Sequence, residues 1–134
     1  MGVDGSEGSR RAAILGRDMA RAFDAKLTFL HVVEPLPSAA LTAFDEQHSA
    51  IYARQVRAGA SLLSALADEL GVVDAEQVID MGRAADVICR EADERSADLI
   101  VVGSHGHGPA ARLMIGSVGA RVASLANRSV TIVR

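Results

Sequence analysis

Cysteine is almost missing from this chain: Cys89 is the only one among 134 residues. No disulfide can close within the chain, and a structural zinc site built from several thiolates is excluded. A lone thiol suits a reducing compartment, and the cytoplasm is the expected location. Tryptophan is absent and aromatic residues make up 3%, too few for a platform on which single-stranded bases stack. Lys26 is the only lysine and the net charge is −3. A general nucleic-acid binder needs a basic surface to displace counterions, so nucleic acid is not an expected partner. No apolar run approaches the roughly 20 residues that span a bilayer. Asp4, Glu7, Arg10, Arg11, Arg17 and Asp18 leave no room for a signal-peptide core near the start. A membrane is not expected either.

What is present is ordinary globular composition, 49% hydrophobic and 23% charged, in a length that fits a single domain over residues 1–134. Short β-branched runs read as strands buried on both faces: Leu27–Val33, Leu99–Val102, Val130–Val133 and, more weakly, Gln77–Asp80. Met1–Val3, ahead of the turn residues Asp4, Gly5 and Ser6, reads as the last residues of another strand. Helical spacing links them over Ser6–Phe23, Thr42–Leu70, Ala84–Arg95 and Ser117–Ala126. Only Glu34–Leu41, with Pro35 and Pro37, reads as a long connection. The alternation of strand and helix predicts an α/β fold, an open parallel sheet with helices on both faces.

No acidic residue follows Asp98. The segment 99–134 holds Arg112, Arg121, Arg128 and Arg134, a charge of +4, which leaves −7 for residues 1–98. Either helix ends attract these cations, or the segment holds an anion site. The strand Leu99–Val102 runs into Gly103-Ser-His-Gly106-His-Gly-Pro-Ala-Ala-Arg-Leu-Met-Ile-Gly116-Ser117. Glycines let main-chain N–H groups approach an anion, and the free N–H groups of a helix starting at Ser117 add positive partial charge. That is the physical recipe for a phosphate cradle; the bland alternative is a loop whose glycines only turn. The P-loop pattern with its lysine is absent. Gly106-x-Gly108-x-x-Ala111 matches the dinucleotide fingerprint loosely, but the acid that should follow to hold a ribose does not. Asp4 sits where a first strand ends. It either forms a turn before the first helix or, if that strand lies beside Leu99–Val102, shares a crevice with Gly103 and accepts from ribose hydroxyls.

Taken in order, Asp4-Gly5-Ser6-Glu7, Leu30-His31-Val32-Val33, Gly82–Ile88, Ala97–Gly103 and the loop to Ser117 resemble the universal stress protein family across nearly the whole chain. The most specific element is Gly-x2-Gly-x9-Gly-Ser, on Gly103, Gly106, Gly116 and Ser117. The resemblance implies a five-stranded parallel sheet in the order 3-2-1-4-5. It also implies a homodimer paired through Val130–Val133, and binding of ATP or a related adenine nucleotide (ADP, AMP or cyclic AMP). Carried over by residue, Asp4 and Val3 meet the ribose or adenine, Val32 lines the adenine pocket, and Gly103, Gly106, Gly116, Ser117 and Val118 wrap the phosphates. His105 touches ribose or phosphate, and Arg112 the outer phosphates. The first strand departs from the family pattern, because only Met1, Gly2 and Val3 precede Asp4.

Other chemistry is weaker. His105 and His107 lack the further ligands of a metal site, so any Mg²⁺ rides on nucleotide phosphates. Cys89 reads as a packed apolar residue, and His31 as a core or edge histidine. No serine sits in a nucleophile elbow. The expected function is therefore an adenine-nucleotide-binding stress regulator rather than a fast enzyme. A dimeric interaction module without nucleotide and a slow ATPase are the alternatives.

Overall fold

A computed structural model describes residues 1–35, 46–104 and 116–134. In chain order the elements are α1 (Glu7–Phe23), β1 (Thr28–Val33), α2 (Glu46–Leu70), β2 (Glu76–Met81), α3 (Ala84–Glu94), β3 (Leu99–Gly103), α4 (Ser117–Leu125) and β4 (Ser129–Val133). β2 is longer than its apolar pattern predicts, because Glu76, Gln77 and Met81 are exposed yet hydrogen-bonded alongside β1. Residues 42–45 of the expected second helix lie outside the described residues.

The strands form two parallel pairs. β1 lies beside β2, with Thr28 opposite Glu76 and Val33 opposite Met81; β3 lies beside β4, with Leu99 opposite Ser129 and Gly103 opposite Val133. Met1–Val3 lies between the pairs and is bonded to both. Val3 N–H donates to Leu30 O and Leu30 N–H to Met1 O, each at 2.8 Å, while Gly2 N–H reaches Val101 O at 3.3 Å. A single parallel bridge, Gly2 with Leu30, is all the β-structure it forms. The expected five-stranded sheet is thus realised as four strands and a bridge, because so few residues cannot build a ladder.

Alternate residues serve two cores, one on each face. Val3 and Phe29 turn toward α1 and α2 and join Ala13, Leu63, Leu66 and Leu70. Leu30, Ile100 and Val102 turn toward α3 and α4 and join Val87, Ile88 and Val122. The apolar strands read as continuous runs for this reason: both faces are covered. α1 starts where Ser6 Oγ accepts the Ser9 N–H at 3.2 Å. The residues it turns inward are small (Gly8, Ser9, Ala12, Ala13, Gly16), so its backbone lies close to the sheet.

The stub carries an electrostatic cost. The Met1 amino group donates to Thr28 O at 2.6 Å, and burial lowers its pKa from 8.0 to about 6. Between those values the unfolded chain holds a proton that the folded chain does not. Stability is therefore complete above the unfolded value and is lost as pH falls toward 6. For the chain starting at Met1, urea unfolding should give about 2 kcal/mol less stability near pH 6 than near pH 8. Acetylating the amino group keeps its N–H donor and should flatten that slope; an unchanged slope would assign it to another group.

Candidate functional site

The end of β3 meets the first turn of α1 with no side chain between them. A Cβ on Gly103 would stand 2.6 Å from Gly8 C and 2.8 Å from both Gly8 O and Ser9 N. Ser9 continues the link on the other side: its Oγ donates to Ser6 O at 3.0 Å and accepts the Asp4 N–H at 3.4 Å. Beyond Gly103, Ser104 is 1% exposed. Its N–H donates to Val133 O at 2.7 Å and its carbonyl accepts the Gly116 N–H at 2.6 Å. Asp4, Gly103 and Gly116, distant in sequence, are therefore held at one end of the sheet through Ser9 and Ser104.

The two helices that begin here differ at their N-termini. α1 has its Ser6 cap. α4 has Gly116 at its N-cap, at φ −57 and ψ 157, and among the described residues no side chain caps it. Ser117 and Val118, its first residues, are exposed. The first-turn N–H groups of α4 have no acceptor within the helix, and their dipoles point positive toward the Ser104–Gly116 junction. An anion is the natural occupant of such a place.

The remaining predicted residues divide. Asp4 is exposed and forms a turn: Oδ1 accepts from Ser6 N at 2.9 Å and from Ser6 Oγ at 2.6 Å. This is the turn alternative. Val3 is 4% exposed and its side chain belongs to the core, so it offers the site main chain only. Its carbonyl lies 2.9 Å from His31 Nδ1; a carbonyl only accepts, so that nitrogen carries the proton. Val32 is half-buried and packs against the α3/α4 core. His105, Gly106 and Arg112 lie outside the described residues.

Sequence reading missed Ser9 and Ser104. The available signal was a small polar residue directly after a glycine, Gly8-Ser9 and Gly103-Ser104, where close backbone approach leaves room for little else. The charge asymmetry, which the sequence left open between helix-end cations and an anion site, has partners for two of its arginines. Arg121 pairs with Asp86 at 3.0 Å and Arg128 with Asp93 at 2.9 Å. Arg128, helped by Asn127, holds the Asp93 carboxyl below its usual range. These two arginines face acids of α3, so they do not contribute an anion site. Burial, with Asp93 and Asp86 nearby, pushes the Cys89 thiol up, which disfavours the thiolate a reactive cysteine needs. No helix of the described residues is long and apolar enough to cross a membrane.

The profile of the Universal stress protein family matches residues 1–134. The chain belongs to the universal stress protein family. The universal stress protein from the QAH/OAS sulfhydrylase 3′ region of Thermus aquaticus is 34% identical over 137 residues, spanning 100% of this chain and 96% of the relative. A universal stress protein solved in complex with cAMP is similar at 32% identity and a TM-score of 0.68, covering 100% of this chain and 93% of the other. One from Lactobacillus plantarum reaches a TM-score of 0.75 at 25% identity, over 99% and 94% of the two chains. The α/β architecture is that of universal stress proteins, with the opening strand cut to a bridge.

Proposed function

We propose that this universal stress protein binds an adenine nucleotide, ATP in particular, where the stub, β3 and α4 converge. The observation that carries the reading is the uncapped α4 N-terminus, joined to the end of β3 by the Gly116–Ser104 hydrogen bond. The main-chain N–H groups of Ser117 and Val118 would take phosphate oxygens, with the Gly103 main chain nearby at the end of β3 and the Ser117 hydroxyl as a further donor. Asp4, linked to the same junction through Ser9, would accept from the ribose, and Val32 would flank the adenine. His105, Gly106 and Arg112 complete the phosphate shell in this reading. Magnesium, where present, is carried by the phosphates: among the described residues no three His, Cys, Asp or Glu side chains stand together as a metal site. The relative solved with cAMP supports an adenine ligand.

The protein acts in this reading as a cytoplasmic single-domain dimer that changes partner affinity with nucleotide state, and any hydrolysis is slow. The dimer forms along β4, which pairs with β3 on one side and has no described strand on the other; such an edge is a template for a second copy. Calorimetry against ATP, ADP, AMP and cyclic AMP tests the ligand. Saturable heat from at least one is expected, with adenine nucleotide released when freshly purified protein is denatured and weighed. Silence from all four, with no nucleotide released, would leave a dimeric interaction module.

A further inference from the structure

The peptide between Val3 and Asp4, where the chain leaves the sheet for α1, is bonded to neither neighbouring strand. The register on either side of it is fixed. Leu30 N–H donates to Met1 O, Val3 N–H donates to Leu30 O, and Gly2 N–H reaches Val101 O. One step further, a parallel ladder sends Val32 N–H to Val3 O and Asp4 N–H to Gly103 O. Neither bond is present among the described residues. Val3 O instead accepts from His31 Nδ1 at 2.9 Å, and the Asp4 N–H goes to Ser9 Oγ at 3.4 Å. Both side chains belong to one face of the sheet. His31 shares the direction of Phe29, which packs with Ala13 and Leu63, and Ser9 is on the buried side of α1. The Val3–Asp4 peptide is therefore turned out of the sheet toward α1 and α2, and a side chain holds it at each end.

The His31 ring is fixed in its turn. A Cβ on Gly59 would stand 2.5 Å from His31 Cδ2 and 3.2 Å from Nε2, so the ring lies directly on the α2 backbone. Its proton on Nδ1 has one place to go, the Val3 carbonyl. The turned peptide leaves two main-chain groups without a ladder partner among the described residues, Val32 N–H on β1 and Gly103 O on β3. Val32 is half-buried, and a donor withheld from both ladder and water costs stability. Such a group is common where a ligand supplies the missing acceptor.

We propose that His31 is a positioning residue for the base: by drawing the Val3 carbonyl onto the α1/α2 face, it keeps Val32 N–H out of the ladder and reserves it as a donor to a ring nitrogen of the adenine. His31 itself touches no ligand; it acts through Val3 and Val32. The use of the donor rests on the nucleotide reading, whereas the displaced carbonyl is measured without any nucleotide.

His31→Phe keeps a ring and removes its donor, and His31→Asn returns a donor near the place of Nδ1. Gly59→Ala leaves His31 in the chain but presses its ring off Val3 O, and should act as His31→Phe does. In ligand-free protein, the Val32 amide should exchange at least tenfold faster than the Leu30 amide. In His31→Phe and Gly59→Ala, where the Val3 carbonyl can swing back to it, Val32 exchange should slow at least tenfold. By calorimetry, ATP affinity should fall about tenfold in the same two variants, the effect of one hydrogen bond, and recover in His31→Asn. Inorganic triphosphate, which carries no base, should bind the parent and the variants alike. A Val32 amide as protected as Leu30 in the parent, or unmoved in both His31→Phe and Gly59→Ala, would overturn the proposal. Equal ATP affinity in the parent and those variants would also overturn it, as would an equal loss for ATP and triphosphate. A parent that binds no adenine nucleotide would overturn the nucleotide reading instead, and the Val32 exchange contrast would still be read on its own.

Discussion

Gly103→Val should cost about 4 kcal/mol or more, enough to leave much of the protein unfolded at 37 °C. Overpacking a core usually costs about 1–3 kcal/mol because side chains can shift. Here the obstacle is backbone: a Cβ would sit 2.6 Å from Gly8 C and 2.8 Å from Gly8 O. α1 can yield only as a body, and that would strip Ala12 and Ala13, both 0% exposed, from the sheet. Urea unfolding of the variant measures the loss. A variant within 1 kcal/mol of the parent, on the scale of surface changes, would show that α1 and β3 are not in the close contact described.

Gly116→Asp separates binding from stability by sign. Gly116 is at φ −57 and ψ 157, a conformation open to any residue, and it caps α4 without a side chain. Aspartate there supplies the missing acceptor and complements the helix dipole, so stability should stay level or rise by up to about 1 kcal/mol. The same carboxylate would occupy the place proposed for phosphate. Two negative charges about 4 Å apart repel by about 4 kcal/mol in a partly polar environment, so ATP affinity should fall at least a hundredfold. Calorimetry and thermal unfolding on one preparation read both. An ATP titration that matches the parent would remove α4 from the site.

Much of this architecture was legible before any coordinates. β-branched runs without polar alternation identified strands covered on both faces, and their spacing identified the helices between them. What could not be read was spatial. The +4 of the last segment left two readings open because sequence cannot show that Arg121 and Arg128 face Asp86 and Asp93 on α3. Gly103 was read for what it could offer a ligand, whereas its immediate neighbour is the α1 backbone. Asp4 illustrates the limit most clearly. The turn and ribose readings compete on paper, and the structure forms the Asx turn, with the Asp4 N–H directed to Ser9 Oγ. The short first strand was visible in the residue count before Asp4, and the structure gives it as the single Gly2–Leu30 bridge.

The bond from Gly116 N–H to Ser104 O also has an evolutionary meaning. It fastens residues 104 and 116 to each other, and Ser104 in turn to Val133, so the interval 105–115 departs from and returns to one anchored spot. Lengthening a loop between two fixed ends costs only about 0.6 kcal/mol per doubling. The framework can therefore stay unchanged while that interval is exchanged wholesale, which allows lineages to diversify ligand preference without having to refold the scaffold around each new version.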